Sequence, residues 1–183
     1  MHPSGEGQTM RQITIFIFLS IAVLFACSEN NTVENWIQKE QQLWDGQKYK
    51  EPQKAIQYLN NAIILQPNNA ELYSKRGTAY YNTGNYQRTV EDDSEAIRLA
   101  PEYAEAYNNR AGAYVKLRQF QSAVRDYDQA IALKPDSAIF YNNRAVVYLL
   151  QGKKDPGCRD AIKACDLGDC VTLEEARIKK YCR

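Results

Sequence analysis

Five cysteines, one histidine and a run of three acids are the residues through which this 183-residue chain could do chemistry. Cys27 stands alone at the end of an apolar run, whereas Cys158, Cys165, Cys170 and Cys182 gather near the C-terminus. A thiolate can act as a nucleophile, a metal ligand or half of a disulfide. No C-x-x-C pair is present, which removes the usual footing for a redox couple or a thiolate zinc site. Four cysteines in a chain that opens with an export segment favour two disulfides, in one of three connectivities. Free thiols, a four-thiolate metal site and redox work stand behind that reading. The acidic run Glu91-Asp92-Asp93 could hold a metal or move protons, but on a predicted helix it reads as a solvated outer face. The only histidine is His2. No glycine-rich phosphate loop, G-x-S-x-G elbow or H-E-x-x-H pair occurs. The expectation is no enzyme, no cofactor, no metal and no small-molecule substrate. A net charge of +1 without a basic stripe argues against nucleic acid as a partner.

The elements that must position these residues begin with residues 10–27. Met10-Arg11-Gln12 leads into the apolar run Ile13 to Phe25 and then Ala26-Cys27. A charged start, a short apolar stretch and a small residue before the break describe an export signal. A spanning helix needs about 20 apolar residues, and Ser28-Glu29-Asn30-Asn31 cuts this run short. Met10 makes a more typical start for such a segment than Met1. Leu24-Phe25-Ala26-Cys27 resembles the bacterial lipoprotein box, apart from Phe25. That resemblance implies removal of residues 1–26, a diacylglycerol on Cys27, a polar tether over 27–34, and loss of His2. It also implies a lipid-anchored protein of the cell envelope, at the outer membrane and facing the periplasm or the surface, as Ser28 suits.

The rest of the chain repeats. Pro67, Pro101 and Pro135 stand 34 residues apart, and Tyr73, Tyr107 and Tyr141 keep the same spacing. So do Tyr80, Tyr114 and Tyr148, and Ala62, Ala96, Ala130 and Ala164. Such a period marks an internal repeat rather than helical amphipathicity. With small residues at Gly77, Ala111 and Ala145, the pattern resembles the tetratricopeptide repeat over about Trp36 to Gly168. The resemblance implies an all-α, right-handed superhelical solenoid of antiparallel helix pairs, with repeats at about 35–69, 70–103, 104–137 and 138–168. The first unit is looser, lengthened by three residues near Lys50-Glu51-Pro52, and Asp169 stands where the fourth proline would be. Asp155-Pro156 reads as an N-cap and first-turn proline of the last helix B. Residues 169–183 form a cysteine-bearing capping helix, which a solenoid needs at its end.

Arg76, Arg110 and Arg144 in the first helix of each pair recur with Asp92, Asp126 and Asp160 in the second. Forked Arg–Asp pairing between packed helices is the favoured reading, ahead of a ligand-binding charge ladder. Stacking the first helices makes a concave groove. Ser74, Thr78, Asn82, Asn108, Asn109, Lys116, Asn142 and Asn143 fall on it, and an asparagine amide can both donate to and accept from a partner's backbone. The carboxylate clamp of tetratricopeptide co-chaperones would fall on Ser74, Thr78, Asn109, Ile139 and Asn143. Only the middle asparagine agrees, so chaperone-tail binding is not expected. The expected function is a membrane-anchored scaffold holding a protein or peptide partner, and the alternative is a thiol or metal protein that uses its cysteine tail. Within that tail, Cys158 and Cys165 lie seven residues apart on one helix, about 10.5 Å and beyond disulfide reach. A helix returning after Gly168 would pair Cys158 with Cys182 and Cys165 with Cys170.

Overall fold

The computed structural model describes residues 32–182, and all the regular structure in that range is helical. The export segment, Cys27 and most of the polar tether lie outside the described residues. Four antiparallel pairs follow one another. They are α1 (Val33–Gln41) with α2 (Pro52–Leu65), α3 (Ala70–Asn82) with α4 (Tyr86–Leu99), α5 (Ala104–Lys116) with α6 (Phe120–Leu133), and α7 (Ala138–Leu150) with α8 (Lys154–Asp166). A final short helix, α9 (Val171–Ile178), packs on α8 and α7. Each helix touches its neighbours along the chain, and successive first helices α3, α5 and α7 also touch one another. This is the quasi-one-dimensional packing of a repeat solenoid.

The repeated small residues explain the close approach. Ala62, Ala96, Ala130 and Ala164 are fully buried on the second helices, as are Ala111 and Ala145 on the first. At Gly77 a Cβ would sit 3.1 Å from the Asp93 carboxylate, so nothing larger fits without movement. The turn inside each pair repeats as well. Gly84, Arg118 and Gly152 all have left-handed backbone, with φ of 81°, 59° and 74°. Their amides close on carbonyls of the last helical turn, at Tyr81, Val115 and Leu149. Glycine is at ease there, while Arg118 holds the same conformation at a steric cost.

Three features differ from the sequence-based expectation. Helix α8 starts at Lys154 with Lys153 at its cap, so Asp155 is a first-turn acid rather than the N-cap. The turn geometry inherited from the other pairs, with the Lys153 amide on the Tyr148 carbonyl, sets that start. Asp92 and Asp93 are buried rather than part of a solvated outer face; only Glu91 is exposed, and it pairs with Arg88. The lengthened turn of the first pair is a small folded unit. Asp45 accepts from the Gln47 and Lys48 amides, Gly46 turns with φ 97°, and Trp44 bridges Tyr49 in antiparallel fashion.

Candidate functional site

Three side-chain systems recur along the solenoid. In the first, each repeat arginine forks onto the aspartate 16 residues later. Arg110 Nε and Nη2 donate to Asp126 at 2.7 and 2.9 Å, and Arg76–Asp92 and Arg144–Asp160 match within 0.2 Å. The third nitrogen, Nη1, reaches back 16 residues to the preceding pair, onto Asn60, Ser94 and Asp128 respectively. Tyrosine rings at Tyr73, Tyr107 and Tyr141 lie 5.5 to 5.8 Å from the guanidinium carbons. Each arginine therefore ties three helices together and is not free for a ligand, as the structural reading expected.

The second system is a ladder along the concave face. Asn109 Nδ2 donates to Ser74 Oγ at 3.2 Å, and Asn143 Nδ2 donates to Asn108 Oδ1 at 2.9 Å. Lys75 Nζ donates to Glu40 at 3.1 Å in the same way. In every case the donor bonds a residue 35 positions earlier, one first helix back. Ser74 and Asn142 are buried, so neither meets a partner in this arrangement. Thr78 Oγ1 donates to the Ser74 carbonyl within its own helix, and Asn82 Oδ1 accepts the Tyr49 amide of the 43–51 turn. Six of the eight groove residues, Ser74, Thr78, Asn82, Asn108, Asn109 and Asn143, thus spend hydrogen-bonding capacity on inter-element contacts, Thr78 Oγ1 accepting from Asn109 Nδ2 at 3.5 Å.

Behind the ladder lies Asp93, fully buried at the place where the next pair carries Tyr127 and the last carries Ala161. Its Oδ1 accepts from Ser74 Oγ at 2.8 Å, and its Oδ2 has no partner. Burial pushes this carboxyl well above the usual carboxylate range, with the Ser74 hydrogen bond opposing. The sequence pattern held a signal for it, since aligning the 34-residue period places Asp93 in the buried column of Leu59, Tyr127 and Ala161.

The open part of the concave face is a cleft of about 240 Å³ over α3 and α5. The Tyr81 ring and the nearly buried Tyr127 ring line it with Thr78, Asn82, Asn108 and Asn109, and Gly112 adds no side chain there. Gln47 of the 43–51 turn closes one end. Burial raises the Tyr81 phenol, and the Lys116 ammonium beside it opposes that shift. Lys116 is exposed and forms no salt bridge among the described residues. Further along, the face turns apolar at Ile139, Val146 and Leu150, which are 54, 43 and 62 % exposed. The 43–51 turn makes a second pocket with Glu40, Trp44, Tyr49 and Lys75. There Tyr49 Oη donates to the buried Glu40 carboxylate, and burial with that contact raises the phenol. Sequence reasoning missed this unit because it occurs once and repeats nowhere.

The cysteine tail is closed. Disulfides join Cys158 to Cys182 and Cys165 to Cys170, with Cα separations of 5.6 and 4.0 Å. The first holds the segment after α9 on α8, and the second closes the turn between the two helices. Both pairings agree with the helical-reach argument. Among the described residues no group of three or more His, Cys, Asp or Glu side chains could hold a metal ion.

Sequence models of two repeat families match the chain, one described as tetratricopeptide repeat over residues 50–104 and one as TPR repeat over 113–152. This is a tetratricopeptide-repeat protein. Its pairs also superpose on solved tetratricopeptide-like solenoids. A crystal structure of MamA is 24 % identical with a TM-score of 0.69, covering 97 % of this chain and 99 % of that one. A second MamA crystal structure is also 24 % identical, with a TM-score of 0.67 over 83 % and 78 % of the two chains. MamA 41-end from Desulfovibrio magneticus RS-1 is 23 % identical, with a TM-score of 0.66 over 74 % and 75 %. These likenesses establish the fold. No curated protein matches the chain. A tetratricopeptide scaffold of this kind is generally non-catalytic and suggests protein partners.

Proposed function

We propose that this tetratricopeptide protein is a membrane-tethered scaffold whose concave groove holds a segment of a partner protein during assembly of an envelope complex. The observation that carries the reading is the open concave face, where the Tyr81–Gly112 cleft, Lys116 beside the Tyr81 phenol and exposed Val146 and Leu150 lie along successive first helices. A polar stretch followed by an apolar one suits an extended or helical segment with an apolar end. With Lys116 as the cation offered beside the cleft, binding should be modest and depend weakly on salt. The tether rests on the apolar run that ends in Leu24-Phe25-Ala26-Cys27. The bonded state of Cys158, Cys165, Cys170 and Cys182 supports a structural tail over the thiol or metal alternative.

Capture from solubilised envelopes tests the groove. Lys116→Glu with Leu150→Glu should cut recovery of the captured protein about tenfold, a loss of about 1.4 kcal/mol. Gln129→Ala, on an exposed position of α6, should leave it unchanged. Equal capture by the groove variant, with loss in the α6 variant, would refute the reading. Intact mass of the membrane fraction tests the tether, since Cys27→Ala should release the chain into the soluble fraction. Two acyl chains hold a protein stably where one does not.

A further inference from the structure

Gly112 has no structural reason to be glycine. It lies inside α5, its backbone is not left-handed, and an added Cβ would meet only Tyr81 Cε2, at an ordinary 3.8 Å. The contrast with other helical glycines is sharp. A Cβ on Gly77 would press on the Asp93 carboxylate at 3.1 Å, and one on Gly157 would press on Leu149 at 2.8 Å. The positions equivalent to Gly112 in the neighbouring repeats carry side chains, Thr78 and Val146. Glycine inside a helix is less stable than almost any alternative. What its missing side chain provides is open space in the cleft lined by the Tyr81 ring and by the nearly buried Tyr127 ring.

The rim points to the chemistry of the occupant. Asn82 and Lys116 hold the same repeat position on adjacent first helices. The Asn82 carbonyl oxygen is taken by the Tyr49 amide, which leaves its Nδ2 as a donor, and Lys116, hydrogen-bonded to the Tyr81 phenol at the cleft, has no carboxylate partner among the described residues. No acidic side chain lines the cleft. The part-exposed Tyr81 ring favours offset or edge contact with a further ring, and a donor-rich rim favours an anion beside it.

We infer that the Gly112 cleft is an anchor pocket for one aromatic side chain of the partner, followed in the partner's sequence by a carboxylate that meets Lys116 and Asn82. The inference rests on the concave-groove reading and narrows it to one ligand class. A buried ring fixes register along the groove, and the carboxylate selects direction.

The test uses the full chain, labelled with ¹⁵N, and the blocked dipeptide N-acetyl-Phe-Glu-amide as probe. The probe should give saturable shifts at Gly112, Asn82 and Asn108, with a Kd on the order of 1 mM. N-acetyl-Ala-Glu-amide and N-acetyl-Phe-Lys-amide should bind at least tenfold more weakly. Gly112→Ala should raise Tm by about 2–4 °C, because the glycine is not needed for the fold. Gly112→Val, which copies the side chain at Val146, should fill the mouth and weaken the probe at least tenfold. Lys116→Met should abolish the preference for Glu over Gln in the probe. Binding to Gly112→Val at the wild-type level overturns the pocket. So does an absence of shifts at every residue lining the cleft. If the probe instead shifts other concave residues and ignores Gly112→Val, the pocket fails and the groove reading stands. Unchanged capture by the Lys116→Glu and Leu150→Glu chain would instead take down the groove reading and the pocket with it, so the two failures are told apart.

Discussion

Replacing Arg110 with Met removes the link that joins α5 to α6 and to α4. Arg110 and Asp126 are 18 and 9 % exposed, and their fork measures 2.7 and 2.9 Å. Methionine keeps the apolar stem but leaves the Asp126 carboxylate buried without a cation, and it frees Ser94 Oγ from its Nη1 donor. Removing one partner of a buried pair costs about 3–5 kcal/mol. Partial exposure of Arg110 places this case near the lower bound. At 2–4 °C per kcal/mol for a chain of this size, Tm should fall by roughly 6–12 °C. Arg110→Lys should recover only part of the loss, because a point charge cannot make the fork and reach Ser94 together. Arg110→Met with Asp126→Leu should recover most of it, since a neutral pair leaves no stranded charge. Thermal and urea melts of the four chains decide the matter. A single variant that melts within about 2 °C of wild type, or a double variant no better than the single, would refute the claim that these forks hold the repeats together.

The buried acid gives a pH signature. Because the folded-state pKa of Asp93 is raised, its contribution is fully present below its unfolded pKa of about 3.9 and declines as pH rises toward the folded value. Asp93→Asn should flatten that slope and raise Tm at pH 8 relative to wild type; an unchanged slope would contradict the assignment. Arg118→Gly should stabilise by roughly 1 kcal/mol, by relieving the left-handed backbone that Gly84 and Gly152 accept freely. Urea midpoints would measure it. Replacing Cys158 and Cys182 by serine should cost about 3 kcal/mol for a loop closed over 24 residues. The Cys165–Cys170 pair closes only five and should cost less. Equal losses in the two melts would argue against a chain-entropy origin.

The period carried most of the fold. Because Pro67, Pro101 and Pro135 recur with the tyrosine and alanine columns, the helix pairs, their turns and the Arg–Asp forks could be read before any coordinates. The site was only half legible. Asn109 and Asn143 were visible as concave residues, yet spacing does not tell whether an amide turns to a partner or back onto Ser74 and Asn108. Asp93 was misjudged because three consecutive acids look solvated, although its column holds Tyr127 and Ala161. The 43–51 turn was invisible, since its folding depends on Asp45 and Gly46 acting once, in contact with Asn82 from another repeat. Gly112 looked like any helical glycine until the space around it could be compared with that around Gly77 and Gly157.

The backward reach of the concave ladder orders events during synthesis. Lys75, Asn109 and Asn143 each seek a residue 35 positions earlier, and each arginine's Nη1 seeks one 16 earlier. As the chain grows from its N-terminus, every new first helix therefore finds its acceptor already made. Only the aspartate of the fork is still to come, 16 residues later, which is about 1–3 s of elongation. A nascent repeat needs nothing from the far end of the chain to settle on its predecessor. The solenoid can grow like a zip closing behind its slider, with the incomplete stretch no longer than one helix pair.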